Sequence, residues 1–351
     1  MTKPSKKTHQ EFEHILRLIS EARNRVYTKA NAELVMLYFN IGRLVAEKVN
    51  AGKWGDNTVQ ELADFIQAKF PNLSGFNRRG LYRMKQFYET YTAPEFVSPL
   101  ATQLQKNEKE TLEFVTTLAT QLNWTHHLLI LSKTKTAEEK LFYIHACIND
   151  KLTKRELERQ LNSAVFERTI LANQNVSTLA TPLPKNLFKD PYIFEFLDLP
   201  DIHSENDLEK TLILHLQKFI LEIGKGFTYI GNQFRLQVGN KDYYTDLLFY
   251  HRDLQCLVLF ELKIQEFEPE FLGKLNFYLE ALDRDVKRPH EKPSIGILLC
   301  KGKDCEVVEY ALARNTSPTK VADYETKLIP KNILANKLHQ WVEQLSKEDF
   351  E

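Results

Sequence analysis

The sequence predicts an α+β protein in which an all-α N-terminal domain precedes an α/β domain with a central mixed sheet. Apolar residues recur at helical spacing through residues 1–170, whereas residues 171–187 are rich in Asn, Ser, Thr and Pro and show no periodicity. From residue 188 onward, β-rich segments alternate with helical ones. Because 351 residues are enough for two cores, we predict a helical domain over 1–170, a linker over 171–187 and a second domain over 188–351.

In the first domain the pattern predicts successive helices with short breaks. Thr153 and Glu156 have the spacing of a capping box and should begin the last of them. His126 and His127 could bind a metal ion, but a packed histidine pair is the more common arrangement in a helix of this kind. The helices should cover about Glu11–Val49, Asn57–Lys69, Asn77–Tyr91, Trp124–Lys133, Ala137–Asp150 and Thr153–Glu167.

In the second domain a helix should precede three strands, and another helix should separate these from a fourth. Two glycines, Gly224 and Gly226, stop the first helix. The predicted order is a helix over about Glu205–Gly224, strands over Tyr229–Val238, Tyr243–Tyr250 and Cys256–Lys263, a helix over Glu268–Leu282, a strand over Ser294–Cys300 and a shorter tail.

Charge and cysteine content limit the classes of function. Lys and Arg together number 47, as do Asp and Glu, so no overall field draws the chain to nucleic acid. Residues 1–180 carry an excess of six positive charges and residues 181–351 an excess of six negative ones, which favours nucleic-acid binding by the first half. Met1–Gln10 is expected to be a frayed polar tail, and no long apolar run predicts a membrane span. Four cysteines without a CxxC pair favour buried, reduced thiols and a cytoplasmic location.

Two acidic residues and a lysine lie on adjacent predicted strands. If the turn after His251 is centred between Asp253 and Leu254, then Asp246 and Glu261 face each other across the strand pair. Side chains alternate along a strand, so Lys263 should project to the same face as Glu261. The simpler alternative is a cross-strand salt bridge on a solvated sheet face.

Mg²⁺ would explain why two acids lie among apolar neighbours. Paired carboxylates in such a place repel each other unless a cation lies between them. Mg²⁺ prefers one or two carboxylates together with water and phosphate oxygens, and Mn²⁺ is an expected substitute. Asp246, Glu261 and the carbonyl of Leu262 are therefore candidate metal ligands, while Lys263 would orient water or stabilise charge in the transition state.

The order of elements and several segments resemble the PD-(D/E)xK nuclease superfamily and, within it, the bacterial YhcG-like family. The resemblance covers nearly the whole chain, including that family's helical N-terminal domain. The similar segments are Lys189–Leu197, Leu221–Phe227, Asp246–His251, Glu261–Lys263, Asn276–Leu279 and Pro293–Cys300 in the second half, and Gly75–Tyr88, Trp124–His126 and Arg155–Leu161 in the first.

The resemblance implies a restriction-endonuclease-like fold and Mg²⁺-dependent DNA cleavage. It gives Asp246, Glu261 and Lys263 the acid, acid and lysine roles, although Thr245 stands where the superfamily motif has proline. Many relatives place a further acid on the helix before the sheet, for which Glu209 is favoured over Glu222. Weaker polar candidates are Lys274, Asn276 and Gln233.

The helix over Asn77–Tyr91 offers a basic face. Its cations suit DNA docking in the manner of a helix-turn-helix module, with phosphate contacts giving most of the affinity. A solvated amphipathic helix is the competing interpretation. The candidate DNA-binding residues are Arg78, Arg79, Arg83 and Lys85.

Together these features predict a metal-dependent DNA endonuclease. The helical domain would dock DNA or dimerise, and a homodimer is expected because a duplex has two strands to cut. The alternative is a catalytically silent module that binds nucleic acid or a protein partner on a nuclease fold.

Overall fold

The computed structural model describes residues 6–97, 113, 116–172, 187–197, 199–200 and 203–348. The chain divides into two compact units, Met1–Leu161 and Asn162–Glu351. Most of the predicted linker, residues 173–186, lies outside the described residues. The predicted limits of 1–170 and 188–351 therefore stay predictions, although the division between the units falls earlier, at residue 161.

The described part of the first unit is helical, as predicted. Its helices are α1 (Lys6–Asn50), α2 (Asp56–Lys69), α3 (Arg78–Thr92), α4 (Trp124–Lys133), α5 (Ala137–Asp150) and α6 (Lys154–Asn162). The prediction of a frayed tail to Gln10 was wrong from Lys6 onward, because Lys, Gln and Glu are good helix formers and α1 propagates through them.

Apolar side chains of α1, α2 and α3 form the core of the first unit. Tyr38 and Val45 of α1 are buried against Val59 of α2 and against Leu81 and Met84 of α3. This packing brings the backbones of α1 and α3 together, and only a residue without a Cβ fits the closest point of α1, where Gly42 lies.

The last predicted helix of the first domain is interrupted. The capping box is confirmed, since the Thr153 N–H donates to Glu156 Oε2 at 2.6 Å and the Glu156 N–H donates to Thr153 Oγ1 at 3.4 Å. The helix was predicted to continue to Glu167, which is wrong because Ala164 has a left-handed backbone (φ 49°). A separate short helix follows and belongs to the second unit.

The second unit is a mixed sheet with helices on both faces. Its helices are α7 (Val165–Leu171), α8 (Glu205–Leu214), α9 (Leu216–Ile223), α10 (Glu270–Ala281), α11 (Cys305–Leu312) and α12 (Lys331–Glu348). Its strands are β1 (Tyr192–Ile193), β2 (Phe227–Val238), β3 (Lys241–His251), β4 (Cys256–Leu262), β5 (Ile295–Cys300) and β6 (Thr319–Glu325). The helix predicted over Glu205–Gly224 is two helices, because the backbone of His215 leaves the helical region (φ −109°, ψ 29°).

The strands are ordered β1-β6-β5-β4-β3-β2 across the sheet. β2, β3 and β4 pair antiparallel, whereas β4, β5, β6 and β1 pair parallel. Every residue of β4 and β5 is buried, as expected for central strands covered on both faces. The mixed sheet and the α+β class are therefore as predicted.

Alternate side chains of the central strands enter two separate cores. Val258 and Phe260 of β4 pack with Phe219 of α9 on one face. Leu257 and Leu259 pack with the helix α10 on the other face. Since Glu261 continues the odd-numbered series, its carboxylate points to the α10 face of the sheet.

Candidate active site

The predicted register between β3 and β4 is confirmed. The ladder runs from His251 paired with Cys256 to Leu247 paired with Phe260, as a turn between Asp253 and Leu254 requires. Asp246 and Glu261 come next in that register, where the strands begin to separate. Asp246 Oδ2 accepts the backbone N–H of Leu262 at 2.7 Å, which fixes the carboxylate beside the end of β4.

Glu261 is a fully buried acid with one oxygen paired and one free. Its Oε1 lies 2.5 Å from the Nζ of Lys274 and 3.4 Å from the Nζ of Lys263. Its Oε2 is buried and has no hydrogen-bond partner among the described residues. A lone carboxylate oxygen in such surroundings is costly, so the site is built to accept a further positively charged or hydrogen-donating group.

Lys263 connects the strand to the start of α8. Its Nζ lies 3.2 Å from Glu205 Oε2 and donates to the carbonyl oxygen of Leu262 at 3.0 Å. The same ammonium lies 5.6 Å from the ring centre of Phe271 on α10. These contacts hold the lysine head next to both Glu261 and the predicted metal-ligating carbonyl of Leu262. Glu205 is the contact that sequence reasoning missed.

The charges of the site shift the pKa values of two groups. Burial, reinforced by the negative charge of Glu261, raises the pKa of Asp246 to about 7. Partial burial alone would lower the pKa of Lys274, but the hydrogen bond to Glu261 and its charge outweigh burial and raise that pKa to about 12. Lys274 therefore stays charged, whereas burial and the neighbouring Glu261 disfavour the charged form of Asp246.

The donor set fits a hard divalent cation. Asp246, the free Oε2 of Glu261 and the Leu262 carbonyl are all oxygen donors, as Mg²⁺ and Mn²⁺ prefer. In the described part of the chain no three residues of the types His, Cys, Asp and Glu lie together as a metal group. Water and phosphate oxygens would have to complete the coordination, which is usual for Mg²⁺ in nucleotide-processing sites.

Glu209 lies beside β2 and is held there by two amides. Its Oε1 accepts from Asn232 at 2.9 Å and its Oε2 accepts from Gln233 at 2.6 Å. The ladder pairs on either side place Gln233 opposite Asp246. The structure thus brings Glu209 to the neighbourhood of Asp246 through Gln233, and the contacts of the described residues include no hydrogen bond between the two acids.

Two other candidates lie in structural contacts elsewhere. Glu222 is fully buried, with Oε1 2.5 Å from an Arg168 nitrogen and accepting the Ile193 N–H at 3.0 Å. Glu222 of α9 thus contacts both α7, through Arg168, and β1, through Ile193. Asn276 donates to Asn315 at 2.8 Å on the far side of α10. Of the candidates on α10, only Lys274 reaches Glu261.

The basic helix of the first unit is α3, and its four cations are not equally available. Arg78 is 2.8 Å from Asp56, and Lys85 is 2.8 Å from Glu89. Arg79 and Arg83 enter no ion pair within the described ranges. Eight residues separate α2 from α3, more than the short turn of a helix-turn-helix module.

His126 and His127 and three of the four cysteines occupy packed positions. His127 is buried between the Tyr91 hydroxyl (3.0 Å) and the Ala119 carbonyl (2.9 Å), so the predicted packed arrangement is confirmed. Cys147, Cys256 and Cys300 are buried free thiols, while Cys305 is exposed. Among the helices that the structure describes, none is long and apolar enough to cross a bilayer.

A helical unit followed by a mixed-sheet domain with two acids and a lysine at one strand pair is the architecture of a PD-(D/E)xK nuclease-class protein. Residues 185–339 match the model described as the YhcG PDDEXK nuclease domain, and residues 14–168 match the DUF1016 N-terminal domain. The chain belongs to the YhcG family.

One relative matches over almost its whole length. The chain is 30% identical to the Escherichia coli (strain K12) protein named "Putative nuclease YhcG", over 94% of this chain and 93% of that one. Among solved structures, a repair endonuclease from Pyrococcus abyssi aligns with 36% of this chain at 15% identity and a TM-score of 0.26. EndoMS in its apo form aligns with 38% at 19% identity and a TM-score of 0.24. The chain spans about half the length of each of these two structures.

Proposed function

We propose that the chain is a divalent-metal-dependent DNA endonuclease that hydrolyses phosphodiester bonds at Asp246, Glu261 and Lys263. One observation carries the proposal: among the residues that the structure describes, a buried carboxylate oxygen, Glu261 Oε2, has no hydrogen-bond partner, and beside it lies a second carboxylate whose pKa is raised to about 7. A plain salt bridge would satisfy both oxygens. This arrangement instead leaves oxygen donors for a cation.

Asp246, Glu261 and the Leu262 carbonyl would hold Mg²⁺, for which Mn²⁺ is the expected substitute. When bound, the metal supplies an acidified water and neutralises charge on the phosphate. Lys263 would donate hydrogen bonds to the attacking water or to a phosphate oxygen, and Glu205 holds its ammonium in place. Glu209 would fix Gln233 next to Asp246 and so serve as a positioning residue.

The first unit would bind DNA through α3. Arg79 and Arg83 are one turn apart on the same helix face and would contact phosphates, with Arg78 and Lys85 at its edges. DNA is the proposed nucleic acid, and a homodimer is the proposed state. The three buried free thiols support a reducing compartment, the cytoplasm.

The test is cleavage of duplex, single-stranded and branched DNA, and of RNA, with Mg²⁺ or Mn²⁺. Asp246→Ala and Lys263→Ala should each lower the rate by roughly 10²–10³-fold or more, and a chelator should stop the reaction. Asp242→Ala is the matched control, because Asp242 is an exposed carboxylate on the same strand, paired with Arg235.

Equal rates for the intact chain and both site variants would place the chemistry elsewhere. The absence of cleavage on every substrate would favour a silent binding module on a nuclease fold. In that case, a metal titration by calorimetry still separates an occupied site from a lost one, since Asp246→Ala should remove metal binding only if the proposed ligands are correct.

A further inference from the structure

Helix α1 has an apolar face that is exposed among the described residues of its unit. The face packed on α2 and α3 includes Tyr38 and Val45. About 130° around the helix lies a second row, which we call the apolar stripe. It includes Phe12, Ile19, Val26, Leu34, Leu37 and Leu44, each between 40% and 69% exposed.

The apolar stripe is too long to be a chance patch. It extends over 33 residues, about 50 Å of helix at 1.5 Å per residue. Its members follow one another at intervals of seven, seven, eight, three and seven residues, close to the seven-residue repeat of a coiled coil with one extra residue near the middle of the helix. The charged Arg23 lies within the row, but exposed apolar side chains over this length still mark an interaction surface.

We propose that the apolar stripe binds the same stripe of a second copy of this chain, in antiparallel orientation about a two-fold axis near residue 28. The stripe reads almost the same from either end. In that register Phe12 faces Leu44, and Ile19 faces Leu37, so large side chains meet large ones. Nearer the axis, Val26 faces Ala30 and Leu34 faces Ala22, so a large side chain meets a small one and the backbones can approach more closely.

The charged flank of the stripe fits the same register. Arg25 and Glu33 lie on one flank, and two-fold symmetry sets that flank beside its own copy. Arg25 of each copy then lies next to Glu33 of the other, so two opposite-charge pairs form. Within the part of the single chain that the structure describes, Arg25 makes a solvent-exposed contact with Glu21 at 3.9 Å, a weak pairing that the side chain can leave to meet Glu33 of the other copy.

A parallel pair would match the charges less well. It would set the flank of Arg25 against the opposite flank, where Ser20, Tyr27 and Asn31 offer no carboxylate. Asn31 is also engaged already, because its amide donates to the carbonyl of Leu122 at 2.9 Å. The antiparallel arrangement therefore pairs both the apolar layers and the charges.

The first experiment measures the mass of the full chain by sedimentation equilibrium over a range of concentrations. The intact chain should be a dimer, and Ile19→Glu with Leu37→Glu should weaken association at least about 100-fold without loss of helix signal. Tyr310→Glu is the matched control, since Tyr310 is a 76% exposed aromatic on α11 and should leave the dimer intact. A monomeric intact chain at high micromolar concentration would overturn the proposal.

The second experiment tests orientation by cysteine cross-linking in a Cys305→Ser background, which removes the exposed native thiol. The double variant Ile19→Cys with Leu37→Cys should cross-link efficiently, because these positions face each other. Ile19→Cys alone should not, since the two copies of residue 19 would be about 27 Å apart at 1.5 Å per residue. Cross-linking by Ile19→Cys alone would show a parallel pair and overturn the proposed register. Neither readout depends on nuclease activity.

Discussion

When no metal is bound, the charged carboxylate of Asp246 lowers the free energy of unfolding of the protein. Because burial and Glu261 raise its pKa to about 7, the unfolded chain releases this proton at a lower pH than the folded chain does. The contribution of Asp246 to the free energy of unfolding therefore falls as the pH rises from about 4 to about 7, and the loss is complete above that range.

Asp246→Asn should make the metal-free protein more stable at pH 8, by about 1–3 kcal/mol. The amide oxygen can still accept the Leu262 N–H, while the charge repelled by Glu261 is gone. Urea unfolding with a chelator present measures the difference. Asp242→Asn, on the exposed end of the strand, should change stability by less than about 0.5 kcal/mol. If the Asp246→Asn variant were less stable, the contacts of the Asp246 carboxylate would stabilise the fold by more than its burial and its repulsion by Glu261 destabilise it.

His127 is a buried neutral imidazole in the first unit. Since the Ala119 carbonyl can only accept, Nε2 carries the hydrogen and Nδ1 accepts from the Tyr91 hydroxyl. Burial lowers the pKa of His127 to about 4. The unfolded chain takes up this proton first, so stability is lost as the pH falls from about 6.5 toward 4.

As the pH falls from about 6.5 toward 4, the intact chain loses free energy of unfolding, and we expect His127→Gln to reduce that loss by up to about 3 kcal/mol. Glutamine can make the same two hydrogen bonds without titrating. Amide hydrogen exchange in α3 and α4 between pH 4.5 and 7 reports on the unit directly. His145→Gln, at an exposed position of α5, serves as the comparison and should leave the pH dependence unchanged. An equal pH dependence in both variants would place the acid-sensitive group elsewhere.

At the scale of elements, the contact between α1 and α3 depends on a missing side chain. A Cβ on Gly42 would lie 2.6 Å from the carbonyl carbon of Met84 and 3.1 Å from the Cβ of Tyr88. Both are fixed parts of α3 and cannot turn aside. Any larger residue must therefore push the two helices apart and disturb the core that Met84 and Leu81 share with α1.

Gly42→Ala should lower the free energy of unfolding by about 1–3 kcal/mol or more, despite the better helix propensity of alanine. Gly273→Ala is the opposite case, because Gly273 lies on the exposed side of α10 with open space around it. There the helix preference alone should stabilise by about 0.5–1 kcal/mol. Thermal unfolding of both variants is the measurement, and equal signs for the two would contradict this account of α1 and α3.

The sequence allowed the strand pair to be predicted in register but not the breaks in the helices. Strand register follows from the position of the polar turn at His251–Gln255, because the turn centre fixes every pair of the ladder and is a local feature of the sequence. The breaks at Ala164 and His215 are absent from the apolar pattern, since that pattern continues across them. Glu205 could not be found because its contact with Lys263 joins residues 58 positions apart.

At the scale of the whole molecule, the net charge of zero conceals which cations are available. Counting charges predicted a basic helix but gave equal weight to its four cations. The structure shows that Asp56 neutralises Arg78 and that Glu89 neutralises Lys85. These acids lie 22 and four residues away, so a charge count along the helix finds only the nearer one. In the proposed DNA complex, we therefore expect the electrostatic attraction of α3 for phosphate to depend mainly on Arg79 and Arg83.

DNA binding by the full chain should accordingly respond unequally to two matched double variants. Each phosphate contact contributes about 0.9 to the slope of log affinity against log salt concentration. Arg79→Gln with Arg83→Gln should lower that slope by nearly 2, whereas Arg78→Gln with Lys85→Gln should lower it by less than about 1, since those charges are already paired. Fluorescence anisotropy with a duplex at several salt concentrations, with a chelator to prevent cleavage, gives both slopes. Equal changes would mean that the ion pairs open on binding, and no change in either variant would remove α3 from the DNA interface.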